Sequence, residues 1–193
     1  CALIAAMVFL FICCLVFYKY NFILAGTFAV TFLLSPWIVN FARNLYWVEF
    51  TWFLPMAVGL LCAWKADKRS WRIGCYVGAY VTILLKCLCG YEYISTIMMG
   101  LISFLLIDFI LALLKRDKER GKLLFWTIVV IGAAALLGFV TAICIHAVLR
   151  GEGNLLHGIA SIVKEDVLRR TNGADMNNFD PREWESINAS VWE

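Results

Sequence analysis

The stretch TIMMGLISFLLIDFILALL (96–114) decides the fold class. It is apolar on every side, so it shows neither the two-residue alternation of an outer-membrane strand nor the single apolar stripe of a soluble helix. Its length matches the run of about 20 apolar residues that a helix needs to cross a bilayer. The rest of the chain agrees. Of its 193 residues 63% are hydrophobic and 16% charged, with a mean hydropathy of +0.81. A soluble domain would carry about a quarter charged residues. The expected class is all-α: a polytopic transmembrane helix bundle with membrane-parallel external helices.

Working outward, apolar runs place about six spans within 1–149, near 1–18, 22–36, 51–64, 73–90, 94–114 and 123–149. Pro36 ends the second, because the residue before a proline is disfavoured in the helical region. Residues 37–52 form an interfacial loop, and 150–193 an external amphipathic loop leading toward a further span. Both ends read as cuts in a longer polytopic protein. A lipidated Cys1 is the less favoured alternative, since lipoproteins rarely continue straight into a span.

Orientation follows from the loops. KADKRSWR (65–72) carries four Lys/Arg and KRDKERGK (115–122) five, whereas GYEYIS (90–95) carries none. The positive-inside rule puts the two basic loops in the cytoplasm, with Lys19 at the first turn in agreement. Residues 37–52, 90–95 and 150–193 then face outward. The basic loops are topology signals, so no nucleic-acid partner is expected; the bilayer is. The eight Cys lie in apolar runs and read as small buried hydrophobes. No zinc spacing, P-loop, dinucleotide fingerprint or HExxH motif occurs, and no metal or cofactor is expected.

Polar groups on the outer side carry the functional question. In and just before NFARNLYWVEFTWFLPM (40–56), the residues Trp37, Phe41, Leu45, Val48 and Trp52 recur at helical spacing. Asn40, Arg43, Asn44 and Thr51 gather on another face. An aromatic belt accounts for the rings but less readily for Arg43 and Glu49. After the last span, Leu155, Leu156, Ile159, Val163 and Val167 make a second apolar face. Ionisable groups in or beside spans are functional candidates by default. Lys86 lies inside the outer end of the fourth span, where its stem can also snorkel. Glu92 follows between two Tyr. His146 is one turn from the outer end of the sixth span, with Arg150 as a cap; a helix–helix contact is its plainer role. Asp108 is deep in the fifth span. It reads as hydrogen-bonded to Ser, Thr or Tyr of a neighbouring helix or as protonated, and otherwise as a transport site. Cations at one depth can hold a lipid phosphate, and a carboxylate beside them can take a proton from an attacking hydroxyl. Arg43, Asn44, Lys86 and His146 are the candidate substrate-binding residues, and Glu49 and Glu92 the candidate catalytic ones.

SPWIVNFARNLYWVEFTWFLPM (35–56), CGYEYIST (89–96) and the terminal loop resemble bacterial cell-envelope membrane proteins of the C-type glycosyltransferase superfold. The resemblance implies an enzyme of the bacterial plasma membrane. It would take a sugar from a polyprenyl-phosphate lipid at the outer face, in polysaccharide biosynthesis, with Glu49 as the acidic residue of an external loop. A transporter or flippase of lipid-linked material, with Asp108 and Lys86 along its path, and a non-catalytic membrane subunit are the alternatives.

Overall fold

The computed structural model describes residues 2–36, 38 and 48–164. The described residues are all-α. The helices are α1 (Ala2–Lys19), α2 (Phe22–Leu33), α3 (Phe50–Trp64), α4 (Arg69–Cys89), α5 (Ile94–Leu114), α6 (Lys118–Arg150) and α7 (Leu155–Ile162). By length and composition α1, α4, α5 and α6 can each cross a membrane; α2 and α3 are shorter apolar helices. Large apolar side chains point away from the protein, Ile23 being 77% and Leu114 75% exposed. Lipid is the solvent that tolerates such a surface. The protein is an integral membrane protein.

Local chemistry sets the helix ends. Asn21 caps α2, its side-chain oxygen accepting from Leu24 N at 2.8 Å, a standard use of Asn at an N-terminus. Asp117 does the same for α6 through Arg120 N at 3.0 Å. The basic loop between α3 and α4 is tied down by its own residues: Trp71 Nε1 donates to Leu61 O at 2.9 Å and Arg72 Nη1 to Ala66 O at 2.6 Å.

The chain divides into two compact units, residues 1–142 and 143–193. In the first, α3 is central, with α1, α4 and α5 all packed on it. Ile12, Val16, Ala57 and Leu60 form one core between α1 and α3. Cys62, Ala79, Ile83, Leu101, Leu105, Leu124 and Ile131 form the other, from α3 to α6. Small residues let helices approach closely where no hydrophobic effect drives them together. Gly59 is the extreme case, since a Cβ there would fall on the Leu101 carbonyl oxygen.

In the second unit, Asn154 caps α7 by accepting from Leu156 N at 3.1 Å and His157 N at 3.3 Å. α7 meets α6 through a face beside the expected apolar one. Gly158 sits on the Ala147 carbonyl and Ile162 is buried, while Leu155, Leu156 and Val163 are exposed. Gly158 allows the two backbones to touch, which leaves the apolar face of α7 free to meet lipid. Val167 lies outside the described residues.

Candidate functional site

Helices α3 and α5 touch at Gly59 and Leu101 and remain close at Met56 and Gly100, where a Cβ on the glycine would sit 3.7 Å from Met56 Cβ. Beyond that point lies a cavity of about 530 Å³. Glu49, Trp52, Phe53 and Met56 line it from one side, and Tyr93, Thr96, Ile97 and Gly100 from the other, with Ile38 adding to the wall. Each set follows the i, i+3, i+4, i+7 spacing of one helix face. The cavity is therefore made by two ordinary faces held together at one end by a glycine.

Glu49 is the chemical centre of this cavity. It precedes the first residue of α3 and is 2% exposed. Both carboxyl oxygens are buried without a hydrogen-bond partner among the described residues. Burial disfavours the charged form and pushes the carboxyl up to about 7. At neutral pH it can therefore either give or take a proton.

The raised value has a consequence for stability. Between the ordinary 4.5 and about 7, the folded protein binds the proton that the unfolded chain has lost. Stability is then complete below the lower value and falls as pH rises through the upper one. Glu49→Gln removes this slope. It should stabilise the protein at pH 8 by about 3 kcal/mol, at about 1.4 kcal/mol per pKa unit, and leave it unchanged near pH 4. Melting of the detergent-purified protein at several pH values checks this, and parallel pH profiles for the two proteins would refute it.

Lys86 and Glu92 are brought together, beside the cavity rather than in its lining. Lys86 is 2% exposed; its Nζ donates to Gly90 O at 2.7 Å and lies 3.9 Å from Glu92 Oε2. Gly90 has φ +140°, a conformation that side chains rarely adopt, and Tyr93 has φ +58°. The pair braces the turn between α4 and α5. That turn delivers Tyr93 to the cavity, where its ring meets Trp52 with centroids 5.2 Å apart. Trp52 is thus part of the protein's own packing, and Thr51, expected on a polar face, is buried with its hydroxyl donating to Val48 O at 2.8 Å. α3 begins at Phe50, so both residues belong to a packed helix instead of a surface one. Arg43 and Asn44, with Trp37, Asn40, Phe41 and Leu45, lie outside the described residues. His146 is half-buried on α6 in the second unit, one turn before Arg150.

A second polar site was not anticipated as a pair. Asp108 accepts from Lys19 Nζ at 2.6 Å and from Tyr20 OH at 3.5 Å. Lys19 and Asp108 are 10% and 9% exposed. Lys19 also donates to Ala63 O at 3.1 Å. Burial first, then the Asp108 charge, holds the Tyr20 phenol well above its usual value. Lys115, Asp117 and Arg120 complete the lining of a cavity of about 300 Å³. Glu49 and Ala63 lie at opposite ends of α3, about 20 Å apart at 1.5 Å per residue. The sequence held a signal for this pair: Lys19 and Asp108 have opposite charge and fall toward the same membrane face.

Among the described residues no group of three or more His, Cys, Asp or Glu comes together as metal ligands do. No protein-family model, curated protein or solved structure matches the chain.

Proposed function

We propose that this protein is a glycosyltransferase-like enzyme of the bacterial plasma membrane. It acts at the outer face on a polyprenyl-phosphate-linked sugar, in cell-envelope polysaccharide assembly. Glu49 is the proton acceptor. The observation that carries this reading is a buried carboxyl without a partner among the described residues, in an apolar cavity. Such a group has a proton affinity suited to neutral pH. The sequence resemblance supplies the donor class, and the positive-inside rule supplies the face. Arg43 and Asn44 are the groups assigned to the phosphate. Lys86 is engaged with Gly90 O, which suits it to positioning the turn that carries Glu92 and Tyr93.

The test is transfer of a labelled sugar from a polyprenyl-phosphate donor by the protein in liposomes. Glu49→Gln should lower the rate by about a hundredfold to ten-thousandfold, the usual contribution of a general base, with donor-lipid binding unchanged. A Glu49→Gln rate equal to that of the wild type would remove Glu49 from the chemistry.

A further inference from the structure

The cavity between α3 and α5 restricts what can fill it. Of the described residues that line it, only Glu49 can carry charge near neutral pH. Its two oxygens have no partner among the described residues and call for a donor, because a buried polar group without one is unfavourable. A phosphate offers acceptor oxygens and negative charge, so beside Glu49 it adds repulsion. An ammonium brings a full charge and three donors into a wall whose other described members are mostly apolar, at a large cost in desolvation. A hydroxyl both donates and accepts. Trp52, Phe53, Met56 and Ile97 supply the apolar wall that a hydrocarbon chain fits.

The geometry points to this cavity as the acceptor site, filled by an uncharged lipid alcohol whose hydroxyl bonds to the Glu49 carboxyl, with the donor phosphate held outside it. The word acceptor rests on the transfer reading above; the lipid-alcohol site does not. In the transfer step, the hydroxyl oxygen forms a bond to the anomeric carbon of the sugar. The bond from that carbon to the polyprenyl phosphate breaks, and its electron pair leaves with the phosphate. The hydroxyl proton passes to Glu49. The site thus takes its nucleophile from within the membrane.

Three photoreactive hexadecyl probes, identical except for an alcohol, phosphate or amine headgroup, test this on the full chain in phosphatidylcholine liposomes. Crosslinked residues are mapped by mass spectrometry. The alcohol should label 49–56 and 93–100 at least about tenfold more than the other two, a preference of about 1.4 kcal/mol. Gly100→Trp fills the cavity, and Thr96→Trp crowds it from a more exposed position. Each should abolish that labelling, whereas Val77→Trp, on an outward face of α4, should leave it intact. Equal or stronger labelling by the phosphate overturns the proposal. So does stronger labelling by the amine, or alcohol labelling that survives both cavity substitutions. Cavity labelling by the alcohol, without sugar transfer from a polyprenyl-phosphate donor, supports the lipid-alcohol site and sinks the enzyme reading alone.

Discussion

Asp108→Ala is expected to lower stability by about 3–5 kcal/mol, because removing one partner of a buried ion pair strands the other charge. Lys19 is 10% exposed and, among the described residues, would keep just the Ala63 carbonyl and the Tyr20 ring, 5.0 Å from Nζ, as close partners. For a chain of this size the loss corresponds to a melting temperature lower by about 10 °C. The double substitution Lys19→Met with Asp108→Leu should recover most of it, since an apolar pair of similar volume needs no compensation. Thermal unfolding of the three proteins in one detergent checks this. An Asp108→Ala melt within a degree or two of the wild type would mean that water already solvates Lys19. The expectation applies to folding, and the sugar transfer proposed above should change little per folded molecule, since the pair lies at the far end of α3 from Glu49.

The second large effect is at Gly59. An alanine there puts its methyl onto the Leu101 carbonyl, a backbone atom that cannot rotate away. Helices α3 and α5 must separate, with an expected loss of about 3 kcal/mol or more, the upper range for overpacking. The separation also reshapes the cavity beyond the crossing, so retention of a hydrophobic ligand there should fall as well. Gly132→Ala is the contrast. Nothing lies within 4 Å of its added carbon, and alanine favours the helix by about 0.5–1 kcal/mol. Similar melting of Gly59→Ala and Gly132→Ala would show that α3 and α5 are not held at that crossing.

What the sequence made legible was depth. Runs such as 96–114 left no other class open than membrane helix, and the all-α architecture followed. The depth of Asp108 was also readable, and Tyr20 does supply the hydroxyl that a buried carboxylate there was expected to find. What stayed hidden was direction around each helix. A helix that is apolar all round has no stripe to say which side meets a neighbour. Lys19 was therefore assigned to topology alone, although it faces Asp108. Glu49 was placed in an interfacial loop because the aromatic spacing of 37–52 continued smoothly through it. α3 starts at Phe50, within a residue of the expected third span, and Glu49 just before it lines the cavity opposite α5, a facing that the spacing did not reveal. Gly59 and Gly100 were the available clue: they lie on the facing sides of two runs, and their value appears only once the two runs are paired.

Lys19 and Asp108 are 89 residues apart in the chain, and that separation is also an interval of time. At about 5–20 residues per second, α1 leaves the ribosome several seconds before its counter-charge has been made. During that interval Lys19 must stay at the membrane boundary, where water reaches its ammonium, while α1 is held by what already exists. The stacked rings of Phe9 and Phe32, 3.9 Å between centroids, offer α2 as that early companion. Once α5 has been made, Asp108 can meet the ammonium, which also donates to Ala63 O. A carboxylate in the fifth helix thereby makes the seating of the first helix a late event in biogenesis.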